Sequence, residues 1–402
     1  MTTAAASGVT LRRLDADDVG AYLRLRDGSY GFPTDDESRL EFTRRMALTW
    51  GAFQGGELAA SLGDPRFENY VAGARVRTAG IAAVQTAPEH RRQGLAARLL
   101  RHALEVARDD AIGWSLLYPF DPPFYTRYGW QGLATGVELV LPPARLARTA
   151  PFTASRVTSD LRGELQDVYG RCAANWTFTN ARTLGPWDVW EDLLPAPGKL
   201  GLAYRLDDAY VVLQQRYEGD PHGPSLRVID SGYASAAGRE ALFGLLASFN
   251  GQSSTITIDV PASDPLAWDW AGWYPKAGRK TLMARVADVQ SALGALRARR
   301  PGADGDETVD LPAFTMGVRD AFAPWNEGSW RVTPGPEGCT VERVPNSETW
   351  LDVRGLTLLL SGAATPLAVR LAGLAEGDAV ALSTLAALSA GRTPYQAVED
   401  GF

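Results

Sequence analysis

Gly80-Ile-Ala-Ala-Val-Gln-Thr-Ala-Pro-Glu-His-Arg-Arg-Gln-Gly-Leu-Ala-Ala-Arg-Leu-Leu100 decides the fold of the first third of this chain. A strand-like run, read over 75–85, stops before Pro88, and an amphipathic helix is predicted from Gln93 to Arg108. Leu95, Leu99, Ala103 and Ala107 recur every fourth residue and give that helix one apolar face. A helix start leaves four amide N–H groups unpaired and carries about half a positive charge, which makes it an anion site. Gly94 lets the backbone approach a phosphate, Ala96 keeps the next approach point small, and Arg91 and Arg92 add cationic donors. This pattern suits a pyrophosphate. His90 reads as a turn residue.

Working outward, Val9 to Arg12 reads as a strand and Asp15 as the N-cap of a helix bearing Val19, Tyr22, Leu23 and Leu25. Segments 50–54 and 57–63 are predicted as a hairpin turned by Gly55-Gly56. Strands at 112–117 and 137–141 then close a mixed sheet near residue 145, with a linker over 142–155. The order of strand pair, strand, helix and strand recurs between residues 161 and 260, as in a diverged second copy. A third unit begins near residue 286. It shows a helix over 288–299, strands over 308–317, 328–333, 340–344 and 348–353, and helices over 356–362, 366–372 and 382–390. The predicted domains are 1–145, 150–285 and 286–402.

Composition sets limits. Of 402 residues, 45% are hydrophobic and 22% charged, an ordinary globular balance spread over more than one core. A formal charge of -7 gives no footprint for nucleic acid or an anionic membrane. Cys172 and Cys339 lack metal-ligand spacing, and three histidines form no metal pattern, so the expectation is no metal and a reducing cytoplasm. No apolar run is long enough to span a bilayer, and residues 1–9 carry no signal-peptide pattern.

Arg91-x-x-Gly94-x-Ala96 after a strand resembles the cofactor motif of the GNAT superfamily of acyltransferases. The resemblance implies acetyl-CoA as co-substrate. Its pyrophosphate would lie on the amides of Arg92, Gln93, Gly94, Leu95, Ala96 and Ala97, and its pantetheine arm would pair with Val84 and Thr86 like an added strand. Downstream, Pro122-Pro-Phe-Tyr-Thr-Arg-Tyr-Gly-Trp130 is similar to the aromatic segment of the same enzymes. There a tyrosine lies near the CoA sulfur, and Tyr125 takes that position. A phenol can protonate a leaving thiolate. Packing of the domain floor is the plainer role for such aromatics.

Over its whole length the chain resembles the Eis (enhanced intracellular survival) branch. That branch is α/β (α+β): two tandem GNAT-like mixed-sheet domains, the second lacking the cofactor motif, followed by a sterol-carrier-protein-like α+β domain. The segment from Ala236 starts a helix without the Arg-x-x-Gly-x-Ala spacing, and Gly355 to Gly362 opens the sterol-carrier-like tail. In such enzymes the C-terminal carboxylate serves as base. Here that implies Phe402, preceded by Gly401 where relatives often carry an acid, which weakens selection for a polycationic amine. Asp27 and Phe32, after the first helix, are candidate substrate contacts. The activity implied is direct N-acetyl transfer to a primary amine, small-molecule or protein, by a homo-oligomer, hexameric in the relatives. The competing reading is a lipid- or acyl-CoA-binding module whose GNAT domain does no chemistry.

Overall fold

The structure is a computed structural model that describes residues 8–31, 46–146, 151–158, 162–182, 193–194, 201–217, 223–270, 281–302, 305–397 and 400. The first sheet has eight strands. Before the motif come β1 (Val9–Arg13), β2 (Thr49–Gln54), β3 (Glu57–Gly63), β4 (Arg66–Val71) and β5 (Ala74–Thr86), with helix α1 (Val19–Tyr30) between β1 and β2. The β2–β3 hairpin turns through Gly55 and Gly56, both in the left-handed region at φ 61° and 87°. Helix α2 (Leu95–Asp109) then packs on β3 and β5. It buries Leu95, Leu99, Ala103 and Ala107 as read from their spacing, and also Leu100 and Leu104. Next follow β6 (Trp114–Leu117), helix α3 (Pro122–Thr126) and β7 (Gln131–Leu133).

The second sheet has six strands, β8 (Val137–Leu141), β9 (Ser155–Val157), β10 (Leu202–Leu206), β11 (Ala209–Arg216), β12 (Ser225–Tyr233) and β13 (Ile256–Val260). Helices α4 (Arg162–Ala173) and α5 (Ala236–Ala247) pack on it. Both sheets contain one parallel pair joined across a helix: β5–α2–β6 and β12–α5–β13.

The sheets cross the boundary expected near residue 145. Val137–Leu141 does not close the first sheet; it pairs antiparallel with β13 and edges the second. Its place beside β6 goes to β14 (Leu282–Val286), which pairs with β6 on one side and β7 on the other. Each sheet thus receives a strand from beyond its own segment, and the two interlock. The expected linker also carries structure: Pro143 and Leu146 are buried, and Ser155–Val157 is a strand of the second sheet.

The third unit is a five-stranded sheet in the order β19 (Thr340–Val344), β18 (Gly328–Thr333), β17 (Phe314–Arg319), β20 (Trp350–Asp352) and β21 (Ala375–Glu376), with a hairpin of β15 (Arg299–Gly302) and β16 (Gly305–Thr308). The helix expected over 288–299 is shorter, Val289–Gly294, and the expected strand over 308–317 divides between β16 and β17. Helix Val353–Leu360 packs against β14, and Val286 N donates to Thr357 Oγ1 at 3.1 Å. Residues of all three units share one apolar core, from Val71 and Phe178 to Trp114, Leu282 and Leu356. Among the described residues no helix is long and apolar enough to cross a membrane.

Candidate active site

The site begins where two parallel strands part. β5 pairs with β6 only from Thr78 opposite Trp114 to Ile81 opposite Leu117, and β6 ends there while β5 runs on to Thr86. On its other side β5 follows β3, with Gly63 opposite Ala82 and Ser61 opposite Gln85. Ala83 and Val84 therefore face the single residue Leu62, which is a β-bulge, and Ala83 takes the left-handed φ of 44°. A bulge bends its strand and increases the local twist. It turns the last residues of β5, Val84 and Thr86 among them, away from β6 and opens a wedge.

The chain leaves β5 through a 3-10 turn, Pro88–His90, and enters α2 with Arg92 at φ 62° and Gly94 at φ 77°. Gly94 is the N-cap and has no side chain to cap the following amides, and a Cβ at its position would meet nothing within 4 Å. The helix start is an open set of N–H donors facing free space. Arg91 Nε donates to the Thr86 carbonyl at 3.3 Å, and Gln93 Nε2 to the Glu89 carbonyl at 3.3 Å.

Wedge and helix start share one cavity of about 1090 Å³. Of the residues picked from sequence, Val84, Thr86, Arg91, Arg92, Gly94, Leu95, Ala96, Ala97 and Tyr125 all line it. Gln93 and Asp27 are not on its wall. The Asp27 carboxylate lies 3.8 Å from Arg26, two and three residues before Ser29 and Tyr30, which do line the cavity. Phe32 and Phe402 lie outside the described residues. His90 sits in the turn as expected and also reaches the cavity. Sequence reasoning passed over Tyr30, Tyr118 and Arg127. Tyr118 directly follows the C-terminal end of β6, the end of a parallel strand where ligands gather in α/β sheets, and that position was a usable signal.

Tyr125 sits on α3 with its ring edge-on to Phe124 at 5.0 Å, Phe120 at 5.5 Å and Trp130 at 6.4 Å. It is 3% exposed. Burial pushes its phenol well above the ordinary tyrosine range, and Tyr30 and Asp121 push the same way, so the hydroxyl keeps its proton. Gly129 completes this segment at φ 91°, and Arg285, on β14, occupies the space a side chain there would need. Arg285 is fully buried, donates to the Tyr128 carbonyl, and pairs with Asp320 Oδ2 at 2.5 Å.

The C-terminal tail touches the cavity wall at Tyr118. Residues 178–181 cover the free edge of β4, and the tail lies along residues 177–179: Tyr395 N donates to the Thr177 carbonyl at 2.9 Å and Thr179 Oγ1 to the Tyr395 carbonyl at 2.8 Å. Gln396 Oε1 accepts from Tyr118 on the cavity wall, and Asp400 is 2% exposed beside Arg182.

The corresponding helix start in the second sheet is closed. Ser235 caps α5 by accepting from Gly238 N at 3.1 Å, and Asp208 Oδ2 accepts from the Ser235 hydroxyl at 2.8 Å. A carboxylate therefore stands where an anion would bind. Among the described residues no three His, Cys, Asp or Glu side chains group as metal ligands.

Comparison with known proteins agrees with this geometry. The acetyltransferase (GNAT) domain matches residues 10–132, and the sterol carrier protein domain matches residues 289–397. An uncharacterized N-acetyltransferase of Streptomyces coelicolor is 27% identical over 331 residues, covering 77% of this chain and 76% of the relative. Among solved structures, a GCN5-related N-acetyltransferase from Anabaena variabilis superposes with a TM-score of 0.81 at 20% identity, over 98% of this chain and all of that one. Eis1 from Mycobacterium abscessus gives 0.74 at 21% identity, over 97% and 99%. At such identities the two structures speak for the fold.

Proposed function

Because the chain is an N-acetyltransferase with a GNAT domain, an Eis-like architecture and a sterol carrier protein domain at its end, we propose that it moves the acetyl group of acetyl-CoA directly to a primary amine. One observation carries the reading: the uncapped helix start at Gly94, the splayed end of β5 and Tyr125 open into a single cavity. In this reading the pyrophosphate lies on the amides after Arg92, neutralised by Arg91 and Arg92. The pantetheine arm takes the place along Val84 and Thr86 that β6 leaves free, as an added strand does.

The thioester then points toward the aromatic segment. An amine loses its proton to the terminal carboxylate of Phe402, directly or through water, and attacks the thioester carbonyl. The C–S bond breaks, and Tyr125 gives its proton to the departing sulfur. A base and an acid on opposite sides of the reacting carbon are what an uncatalysed aminolysis lacks. The acceptor enters past Ser29 and Tyr30, where Asp27 is the acidic group at the helix end and Phe32 follows. The reading includes a cytosolic homo-oligomer, which light scattering of the purified chain tests.

The deciding experiment measures thiol release from acetyl-CoA over a panel of amines, with the intact chain and one lacking Phe402. Amine-dependent turnover that collapses without Phe402 supports the whole reading. Turnover that survives the deletion removes the terminal base, and tight CoA binding without turnover on any amine removes the transferase.

A further inference from the structure

Arg127 directly follows helix α3 and lies on the wall of the cofactor cavity. Its Nε donates to the Phe124 carbonyl at 3.0 Å, and its guanidinium lies 4.7 Å from the centre of the Phe124 ring and 5.4 Å from that of Tyr128. Among the described residues its two terminal nitrogens have no hydrogen-bond partner, and no carboxylate pairs with it. Arginines elsewhere in the first sheet are matched, as Arg66 is with Asp64 and Arg285 with Asp320. The other two arginines of the cavity, Arg91 and Arg92, also lack an acidic partner among the described residues. The described wall therefore holds three guanidinia and no Asp or Glu.

Such a wall selects an anion. The Phe124 hydrogen bond and the two ring contacts restrain Arg127 and leave its outer nitrogens open, the arrangement that takes a phosphate through two parallel hydrogen bonds. A protonated amine is repelled by it, so Arg127 does not serve the acceptor. Acetyl-CoA carries a pyrophosphate and a 3′-phosphate on its ribose. The pyrophosphate already has the helix-start amides, Arg91 and Arg92. The 3′-phosphate, a monoester with about 1.5 to 2 negative charges at neutral pH, has no donor among the groups assigned above.

We propose that Arg127 binds the 3′-phosphate of acetyl-CoA and makes the enzyme discriminate against donors that lack this group. This rests on the reading of the cavity as the acetyl-CoA site. The 3′-phosphate is at the end of the cofactor remote from the thioester, so the contact is the same before and during acetyl transfer and is expressed as affinity.

The test is calorimetric binding of CoA and 3′-dephospho-CoA to the unaltered chain, Arg127→Gln and Arg127→Lys, each checked for an unchanged thermal melt. The unaltered chain should bind CoA about tenfold or more tighter than dephospho-CoA, as expected of a charge-assisted pair of hydrogen bonds. In Arg127→Gln the affinity for CoA should fall to that for dephospho-CoA, which itself should not change. Arg127→Lys keeps the charge without the fork and should fall between. Equal weakening of both ligands in Arg127→Gln overturns the assignment, since Arg127 would then serve the pyrophosphate or the aromatic segment. No preference in the unaltered chain, or a preference that survives in Arg127→Gln, overturns it as well. An unaltered chain that binds neither ligand removes the acetyl-CoA reading and this assignment with it. The expected preferences without turnover on any amine remove the transferase and leave the role of Arg127 standing.

Discussion

Tyr118, on the wall of the cofactor cavity, donates its hydroxyl to Gln396 Oε1 at 2.7 Å across 278 residues of chain. It links the first sheet directly to the tail. A neutral hydrogen bond of this kind contributes about 1 kcal/mol. Loosening the tail by that amount should lower kcat about fivefold in Gln396→Ala with KM for acetyl-CoA unchanged. Tyr118→Phe should match it, and the double variant should lose no more than either single one, because both remove the same contact. Additive losses would mean that the two residues act separately.

Tyr125→Phe keeps the ring contacts with Phe120, Phe124 and Trp130 and removes only the proton donor. For a general acid kcat should fall by about 10²–10⁴ while affinity for CoA holds, the mark of an interaction made in the transition state. The pH profile gives a second check. Burial raises the phenol's pKa above its ordinary value of 10.0, and a raised pKa means the protonated, donating form persists to higher pH. The rate should therefore show no loss of a catalytic acid between pH 7 and 10. A descending limb in that range on a deprotonated amine substrate would point to another donor.

Gly94→Ala probes the helix start. The position has φ 77° and no neighbour within 4 Å, so alanine is strained by about 1 kcal/mol but not crowded. Its methyl would stand where a phosphate approaches the amides. Affinity for acetyl-CoA, measured by calorimetry, should drop about tenfold or more, as expected from losing charge-assisted hydrogen bonds. Turnover of S-acetylpantetheine, which has no pyrophosphate, should barely change. Equal losses with both donors would place the pyrophosphate elsewhere.

The readability of these residues in the sequence follows their dependence on local backbone. Arg91, Gly94 and Ala96 owe their place to a strand end, a turn and a helix start within 20 residues of one another, and all of these carry local signals. The β-bulge does not. Ala83 is an ordinary residue for a strand, and its left-handed φ is imposed by pairing with β3. Strand exchange is harder still. Val137-Glu-Leu-Val-Leu141 and Leu282-Met-Ala-Arg-Val286 are both sound strands, and their partners lie over a hundred residues away in sequence. The one clue was that Leu282–Val286 lacks alternation, as a strand buried on both faces does. The docking of the tail had no local signal either, because Arg182 and Asp400 are 218 residues apart and neither stands in a motif, and the role proposed for its end rests on family resemblance.

The joint between the first and third units supplies the last prediction. Arg285 and Asp320 are 0% and 1% exposed at their side chains, and Asp320 also accepts from Asn326 Nδ2 at 2.9 Å and Ala323 N at 3.0 Å. Burial alone lowers the Arg285 pKa, and the Asp320 carboxylate opposes that shift. Asp320→Ala leaves a guanidinium without its counter-charge in the shared core, and breaking such a pair from one side costs about 3–5 kcal/mol. Thermal melting should fall by several degrees or become two transitions, with the third unit coming apart from the first sheet. Arg285→Met together with Asp320→Ala should recover part of the loss, since an apolar side chain of similar length removes the stranded charge. Because Arg285 also holds the Tyr128 carbonyl and fills the space over Gly129, Asp320→Ala should lower kcat as well through the aromatic segment that carries Tyr125. A destabilised variant with full kcat at low temperature would show that this joint supports the fold without setting the site.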